Sequence, residues 1–172
     1  MVRKSISEIL KEIGEHTSFH DRVKAMRSYR SNEPLRTVLK YAFDPRIKFT
    51  LPEGAPPYRE NDFPDQEGIL YFEARKMYLF VEGGNPNLTP LKREELFIRL
   101  LETVDKDDAK ILIGMKDKDI PVKNITQKLT ERAFPDLFKW KDDPIRNLIL
   151  SLKSTMTNMS IIVTKKLKDK KI

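Results

Sequence analysis

Cysteine is absent from this chain of 172 residues. Without a thiol, the protein cannot contain a disulfide bond, a cysteine zinc site, an iron–sulfur cluster or a cysteine nucleophile. Long apolar runs are absent too, since no stretch approaches the roughly 18 consecutive apolar residues of a membrane-spanning helix. The first residues lead into an amphipathic pattern and not into the apolar core of a signal peptide. We therefore expect a soluble, cytoplasmic protein.

Signatures of catalysis and of cofactor binding are also missing. The sequence has no phosphate-binding glycine loop and no nucleotide fingerprint. His16 and His20 have the i, i+4 spacing of a metal-binding pair. However, Thr17 and Ser18 are expected to break any helix between them, and no third ligand is in view. We expect neither a metal nor a cofactor.

Positive charge exceeds negative charge in the sequence. The chain has 33 Lys and Arg residues against 26 Asp and Glu residues, a net charge of +7. This excess favours polyanionic partners, which include nucleic acid, an anionic membrane surface or an acidic protein. Apolar residues make up 39% of the chain, enough for a core.

Helical periodicity dominates the pattern and predicts an all-α fold, a compact multi-helix domain. Ser5 and Glu8 have the spacing of a capping box. Further helices are predicted to begin near Ser18, Asn32, Leu70, Thr89, Asp105 and Pro121. The helix after Ser18 is expected to bury Phe19, Val23 and Met26. The helical periodicity is lost from residue 49 to 67, where proline and glycine are frequent, and this predicts a long irregular surface loop.

Two regions are predicted, a helical domain over residues 1–138 and an extension over 139–172 with a lysine-rich tail. Apolar residues of the extension keep helical spacing at Ile145, Leu148, Leu152 and Met156. This stripe either packs back on the domain or offers an apolar face to a protein partner. The pattern leaves both alternatives open.

Basic side chains occur along the second predicted helix, at Arg22, Lys24, Arg27 and Arg30, and directly after the third, at Arg46 and Lys48. They are predicted to line one DNA-binding surface. The alternative is a solvated helix face. The lysine-rich tail either adds salt-sensitive phosphate contacts or serves only as a solubilising end.

Three stretches together carry a family resemblance. They are Ile6 to Phe49, with Pro34-Leu35-Arg36-Thr37-Val38-Leu39-Lys40-Tyr41; Leu96 to Met115, a helix pair joined at Val104-Asp105; and Met115 to Leu137. In this order and spacing they resemble the N-terminal DNA-binding domain of T-even-type phage ATP-dependent DNA ligases. The resemblance covers about Ser5 to Leu137. The chain is also similar to a family of short tailed-phage proteins that stand alone.

The resemblance implies an all-helical domain that grips duplex DNA, intact or nicked, by its phosphates and minor groove. The stretch Asp119 to Thr126 matches a turn that lays backbone amides and a helix N-terminus against phosphates. This implies DNA contacts for Lys123, Asn124 and Lys128.

Ligase chemistry requires a lysine nucleophile in a Lys-x-Asp-Gly motif, and none of the six glycines of this chain follows an aspartate. Nor does the sequence have a region resembling a nucleotidyltransferase domain. We therefore expect no enzyme, but an accessory protein of phage DNA metabolism in the cytoplasm of an infected host. It would bind DNA with little sequence preference. The alternative is a protein-interaction module, or a virion or host-takeover protein, that kept the fold without binding DNA.

Overall fold

The computed structural model describes residues 4–63 and 68–138, and this part of the chain is helical. It contains an isolated antiparallel bridge between Phe49 and Val81 but no strand. A 3-10 helix, Ala74–Phe80, directly follows α4. The α-helices of the described part are α1 Ile6–Glu15, α2 Phe19–Ser28, α3 Glu33–Phe43, α4 Ile69–Glu73, α5 Pro90–Thr103, α6 Lys106–Lys116 and α7 Gln127–Ala133. The predicted helical fold class is confirmed for these residues.

Polar side chains start most of these helices where the sequence predicts. Ser5 accepts a hydrogen bond from the Glu8 backbone N–H at 3.2 Å, and the Glu8 side chain accepts one from the Ser5 N–H at 2.8 Å. Asn32, Thr89 and Asp105 cap α3, α5 and α6 in the same manner. Each cap satisfies an N–H that the first turn of a helix leaves without a partner.

Helices α3 and α6 form the centre of the described unit. They pack on each other; α3 also contacts α4 and the 3-10 helix, while α6 contacts α1 and α5. Helix α2 packs on α1 and on α7. The core is formed by apolar side chains from all of these elements, with Ile9, Leu10, Met26, Leu35, Leu39, Met77, Phe97, Leu112 and Leu129 among its buried members.

The segment 49–63 is irregular, as predicted, but it is pinned to the domain. The buried ammonium of Lys116 donates a hydrogen bond to the Pro52 carbonyl oxygen at 2.7 Å. Further along, the Asn61 side chain donates to the Thr103 carbonyl oxygen at 3.1 Å. Residues 64–67 of the predicted loop lie outside the described part.

Three predictions about local structure were wrong. The pattern over residues 70–81 does not form one α-helix, because a 3-10 segment replaces it from Ala74. Phe19 is 40% exposed and not buried, since it lies in the first turn of α2 at the edge of the packing. The last described helix begins at Gln127 and not at Pro121. The helix cannot begin before Asn124, because this residue adopts a left-handed backbone conformation with φ of 67°.

Predictions for the extension over residues 139–172, with its stripe Ile145, Leu148, Leu152 and Met156, lie outside the described residues. The predicted boundary between the two regions stays a prediction. Within the described part, none of the helices combines the length and apolar character that crossing a bilayer demands.

Candidate nucleic-acid interface

Helices α2 and α7 lie side by side and run in the same direction. At their first turns, the Lys128 ammonium lies 5.9 Å from the centre of the Phe19 ring. At their last turns, the Arg27 guanidinium donates a hydrogen bond to the Arg132 carbonyl oxygen at 2.9 Å. The packing therefore brings together two segments that are about 100 residues apart in the sequence.

These two segments have a clear excess of basic over acidic residues. Residues 19–30 and 121–133 contain seven Lys and Arg residues but two acidic ones, Asp21 and Glu131. We call the seven cations the α2–α7 basic region: Arg22, Lys24, Arg27, Arg30, Lys123, Lys128 and Arg132. Six of them are exposed and Arg22 is half-buried.

Arg22 and Lys123 line one depression of about 680 Å³, at the end of the domain where α2 begins. The Arg22 guanidinium donates to the carbonyl oxygens of His16, at 2.6 Å, and Thr17, at 3.0 Å, which fixes it in the corner between α1 and α2. Glu15 also borders the depression and reduces its positive charge. The depression therefore brings Arg22 of the second helix together with Lys123 of the turn before α7.

The Lys123 turn, residues 119–124, packs closely against two helices at positions where those helices have glycine. A Cβ atom on Gly14 of α1 would lie 2.4 Å from the Lys123 carbonyl oxygen. A Cβ atom on Gly114 of α6 would lie 2.3 Å from the Asp119 carbonyl oxygen. The Asn124 side chain donates to the Gly14 carbonyl oxygen at 2.8 Å, which holds its own left-handed backbone in place. Asn124 is thus a structural anchor of the turn that carries Lys123.

The predicted set of DNA-binding residues does not all converge on one face. In an α-helix Arg22 and Arg27 are about 140° apart by the 3.6-residue period, so they lie on opposite flanks of the buried stripe of α2. Arg22 turns toward α1 and Arg27 toward α7. Arg22 and Arg27 therefore lie on two different flanks of α2, the first beside α1 and the second beside α7.

Arg46 is engaged by a buried carboxylate. Its guanidinium and its backbone N–H donate to the Asp44 carboxylate, at 2.9–3.1 Å, and this carboxylate is buried. Burial opposes ionisation, but the Arg46 hydrogen bonds outweigh it and hold the pKa of Asp44 below its ordinary value. Arg46 therefore neutralises a buried acid, which its sequence position did not indicate.

Lys48 lines a second groove of about 860 Å³, together with Lys118 and with Gln127 at the start of α7. Sequence reasoning missed Lys118, which has a left-handed backbone, φ 63°, directly after α6. Its ammonium donates to the carbonyl oxygens of Tyr41, at 2.5 Å, and Asp44, at 3.2 Å, at the end of α3. Burial lowers the pKa of Lys118, and the Asp44 carboxylate opposes that shift. No local pattern indicated this role, because both partners are backbone carbonyls more than 70 positions away in the sequence.

The charge excess of the chain sits mainly beyond the described domain. Residues 139–172 contain nine Lys and Arg residues against three acidic ones, a net charge of +6 out of the total of +7. Residues 1–138 are nearly neutral, with 24 basic and 23 acidic residues. The positive character of the domain is therefore local, and it is concentrated in the α2–α7 basic region.

The described residues hold no group of three or more His, Asp and Glu side chains that could bind a metal ion. Ser18 caps α2 between His16 and His20, so the two histidines do not share a helix.

Residues 9–122 match a protein family described as a family of unknown function, DUF6433. The chain belongs to this family. Neither a curated protein nor a solved structure matches the chain. The family match includes α2, the segment 49–63 and both glycines that seat the Lys123 turn. It ends just before Lys123, so the three cations that the α7 segment contributes to the basic region lie beyond it.

Proposed function

We propose that this DUF6433 protein is a non-catalytic accessory protein that binds duplex DNA by its phosphates and minor groove, with little sequence preference. The observation that carries the proposal is the α2–α7 basic region, where seven cations meet two acids in an otherwise nearly neutral domain. Phosphate contacts from lysine and arginine supply most of the affinity of such sequence-independent binding. The resemblance to phage ligase DNA-binding domains supports a role in phage DNA metabolism.

The proposed contacts differ in kind across the basic region. Lys24, Arg30 and Lys123 are exposed, so their charged groups are accessible to phosphates. Lys128 lies near the Phe19 ring, and Arg27 is bonded to a carbonyl oxygen of α7. These two contacts fix the relative position of the helices. The extension adds net charge +6, so we propose that it strengthens binding without setting its position.

A salt-dependent binding measurement on the full chain tests this proposal. The variant carries Lys123→Glu, Lys128→Glu and Arg132→Glu, and its matched control carries Lys76→Glu, Lys92→Glu and Lys106→Glu. All six lysines and arginines are exposed, and both variants change the net charge equally. We expect the first variant to bind more weakly. The slope of the logarithm of its binding constant against the logarithm of the salt concentration should become less steep by about 0.9 for each phosphate that it no longer neutralises. The control is expected to change much less.

Undetectable duplex binding by the wild-type chain at about 50 mM salt would refute the proposal, because phosphate contacts are strongest at low salt. Equal weakening in both variants would show that net charge, and not the basic region, sets the affinity. A protein partner that survives nuclease treatment and is indifferent to these variants would favour the alternative, a protein-interaction module.

A further inference from the structure

The groove that Lys48 lines has a composition unlike the rest of the basic surface. It runs between the end of α3, the segment 45–54 and the end of α6, and it measures about 860 Å³. Apolar side chains of Pro45, Phe49 and Leu51 form part of its wall. A volume in this range suits the binding of a small organic group. We call it the Phe49 groove.

Phe49 is held in place before any ligand arrives. Its backbone lies in the antiparallel bridge to Val81, where the Glu82 N–H donates to the Lys48 carbonyl oxygen at 2.9 Å. Its ring lies 6.1 Å from the Tyr41 ring, and the Lys118 ammonium lies 5.3 Å from its centre. The ring is nevertheless only half-buried. A ligand that packs on this ring therefore meets a surface that is already ordered.

The charges of the groove are mixed, with a small positive excess. Lys48 is exposed. Lys116 is paired with Asp117, so these two charges cancel. Glu53 is the other acid on the groove wall, and Lys118 is the other cation. The groove thus combines an aromatic and apolar wall with an excess of one positive charge.

The start of α7 borders both the groove and the α2–α7 basic region. Gln127 lines the groove, and Lys128, the next residue, belongs to the basic region. DNA bound across the basic region would therefore have its backbone next to the mouth of the groove. A nucleotide has the matching chemistry, because its base is flat and apolar on both faces and its phosphate is anionic.

We propose that the Phe49 groove takes one unpaired nucleotide of the DNA that the basic region binds, with the base against Phe49 and its apolar neighbours and the phosphate facing Lys48. This rests on the proposed function and narrows it: the preferred ligand is DNA with an unpaired nucleotide, and not fully paired duplex. Stacking on an aromatic side chain accepts any base, so the preference concerns structure and not sequence.

The test compares three DNA duplexes of equal length with the full-length protein. One is fully paired, one has a single unpaired nucleotide, and one has an abasic residue at the unpaired position. We expect the unpaired nucleotide to tighten binding by about fivefold or more over the paired duplex, the lower end of one base–aromatic stack. The abasic duplex is equally flexible but lacks the base, so it is expected to bind like the paired one.

The variant Phe49→Leu is expected to reduce the preference for the unpaired nucleotide to near unity. Phe72→Leu is its matched control, since Phe72 is exposed on α4 outside the groove. The comparison with the abasic duplex needs no variant, so the test stands even if Phe49→Leu unfolds.

Equal affinity for all three duplexes, or an unchanged preference in Phe49→Leu, overturns the inference while leaving duplex binding intact. Binding of free dAMP that depends on Phe49, without any preference among the duplexes, also overturns it. Absence of binding to every duplex defeats the proposed function instead.

Discussion

Gly14→Ala tests how the Lys123 turn is held. Gly14 lies in the last turn of α1, and a Cβ atom there would lie 2.4 Å from the Lys123 carbonyl oxygen and 3.5 Å from the Val122 side chain. A carbonyl oxygen belongs to the backbone and cannot rotate away as the end of a side chain can. Either α1 or the turn must therefore move to accept the methyl group.

Two effects of opposite sign decide the outcome. Helix propensity favours alanine over glycine by about 0.5–1 kcal/mol. Overpacking a filled site costs about 1–3 kcal/mol. Displacing the turn also weakens the hydrogen bond of 2.8 Å from the Asn124 side chain to the Gly14 carbonyl oxygen, a bond worth about 1 kcal/mol. We expect the free energy of unfolding to fall by about 1–3 kcal/mol in total.

Urea unfolding followed by circular dichroism measures this change, with Glu15→Ala as the control. Glu15 is the exposed neighbour of Gly14 in the same helical turn, so its replacement is expected to alter stability by less than about 0.5 kcal/mol. A higher urea midpoint for Gly14→Ala at an unchanged slope would mean that propensity dominates. The close packing of the turn on α1 would then be refuted.

Three further substitutions probe other elements of the fold. Ser5→Ala removes the capping box of α1 and is expected to lower the free energy of unfolding by about 1 kcal/mol, measured by urea midpoint, whereas Ser5→Asp should retain most of it. Lys116→Met removes the ammonium that donates to a carbonyl oxygen of the segment 49–63 at 2.7 Å; we expect faster limited proteolysis within that segment, and an unchanged cleavage rate would contradict its pinning role. Asp44→Asn removes a carboxylate whose pKa is lowered by Arg46. The stabilisation from this carboxylate is present above the ordinary pKa of about 3.9, and it is lost as the pH falls from there through the lowered pKa of the folded state. The variant should be less stable at neutral pH and less sensitive to acid, and a stability difference that does not vary with pH would argue against this pairing.

Sequence reasoning was accurate where a feature depends on residues close together in the chain, and it failed where the feature depends on distant residues. The starts of α1 and α3 could be predicted because Ser5 and Asn32 cap helices through hydrogen bonds that span three residues. The start of α7 could not, because the left-handed Asn124 is held by a bond to Gly14, 110 positions away in the sequence. A proline at position 121 is typical of a first helical turn and led the prediction away from Thr126, which caps α7 through a hydrogen bond of the same short range.

The candidate site shows the same division. The basic residues of α2 were identified from the sequence, and the family resemblance implied a DNA contact for Lys123. That Arg22 and Lys123 line the same depression is visible only in the structure. That Arg46 instead neutralises the buried carboxylate of Asp44 depends on how that carboxylate is enclosed. Lys118 was missed because its partners are backbone carbonyls at the end of α3, which carry no sequence signal.

The sequence by itself determined the helical class, most helix starts and the excess of positive charge, because caps, apolar stripes and composition depend on residues that are close together in the chain. The tertiary structure alone decided which cations meet. Packing of α2 on α7, and of the 119–124 turn on two glycines, joins segments far apart in the chain. Such contacts form only where the packed surfaces of two segments are complementary, and the order of residues along the chain does not show which surfaces will meet.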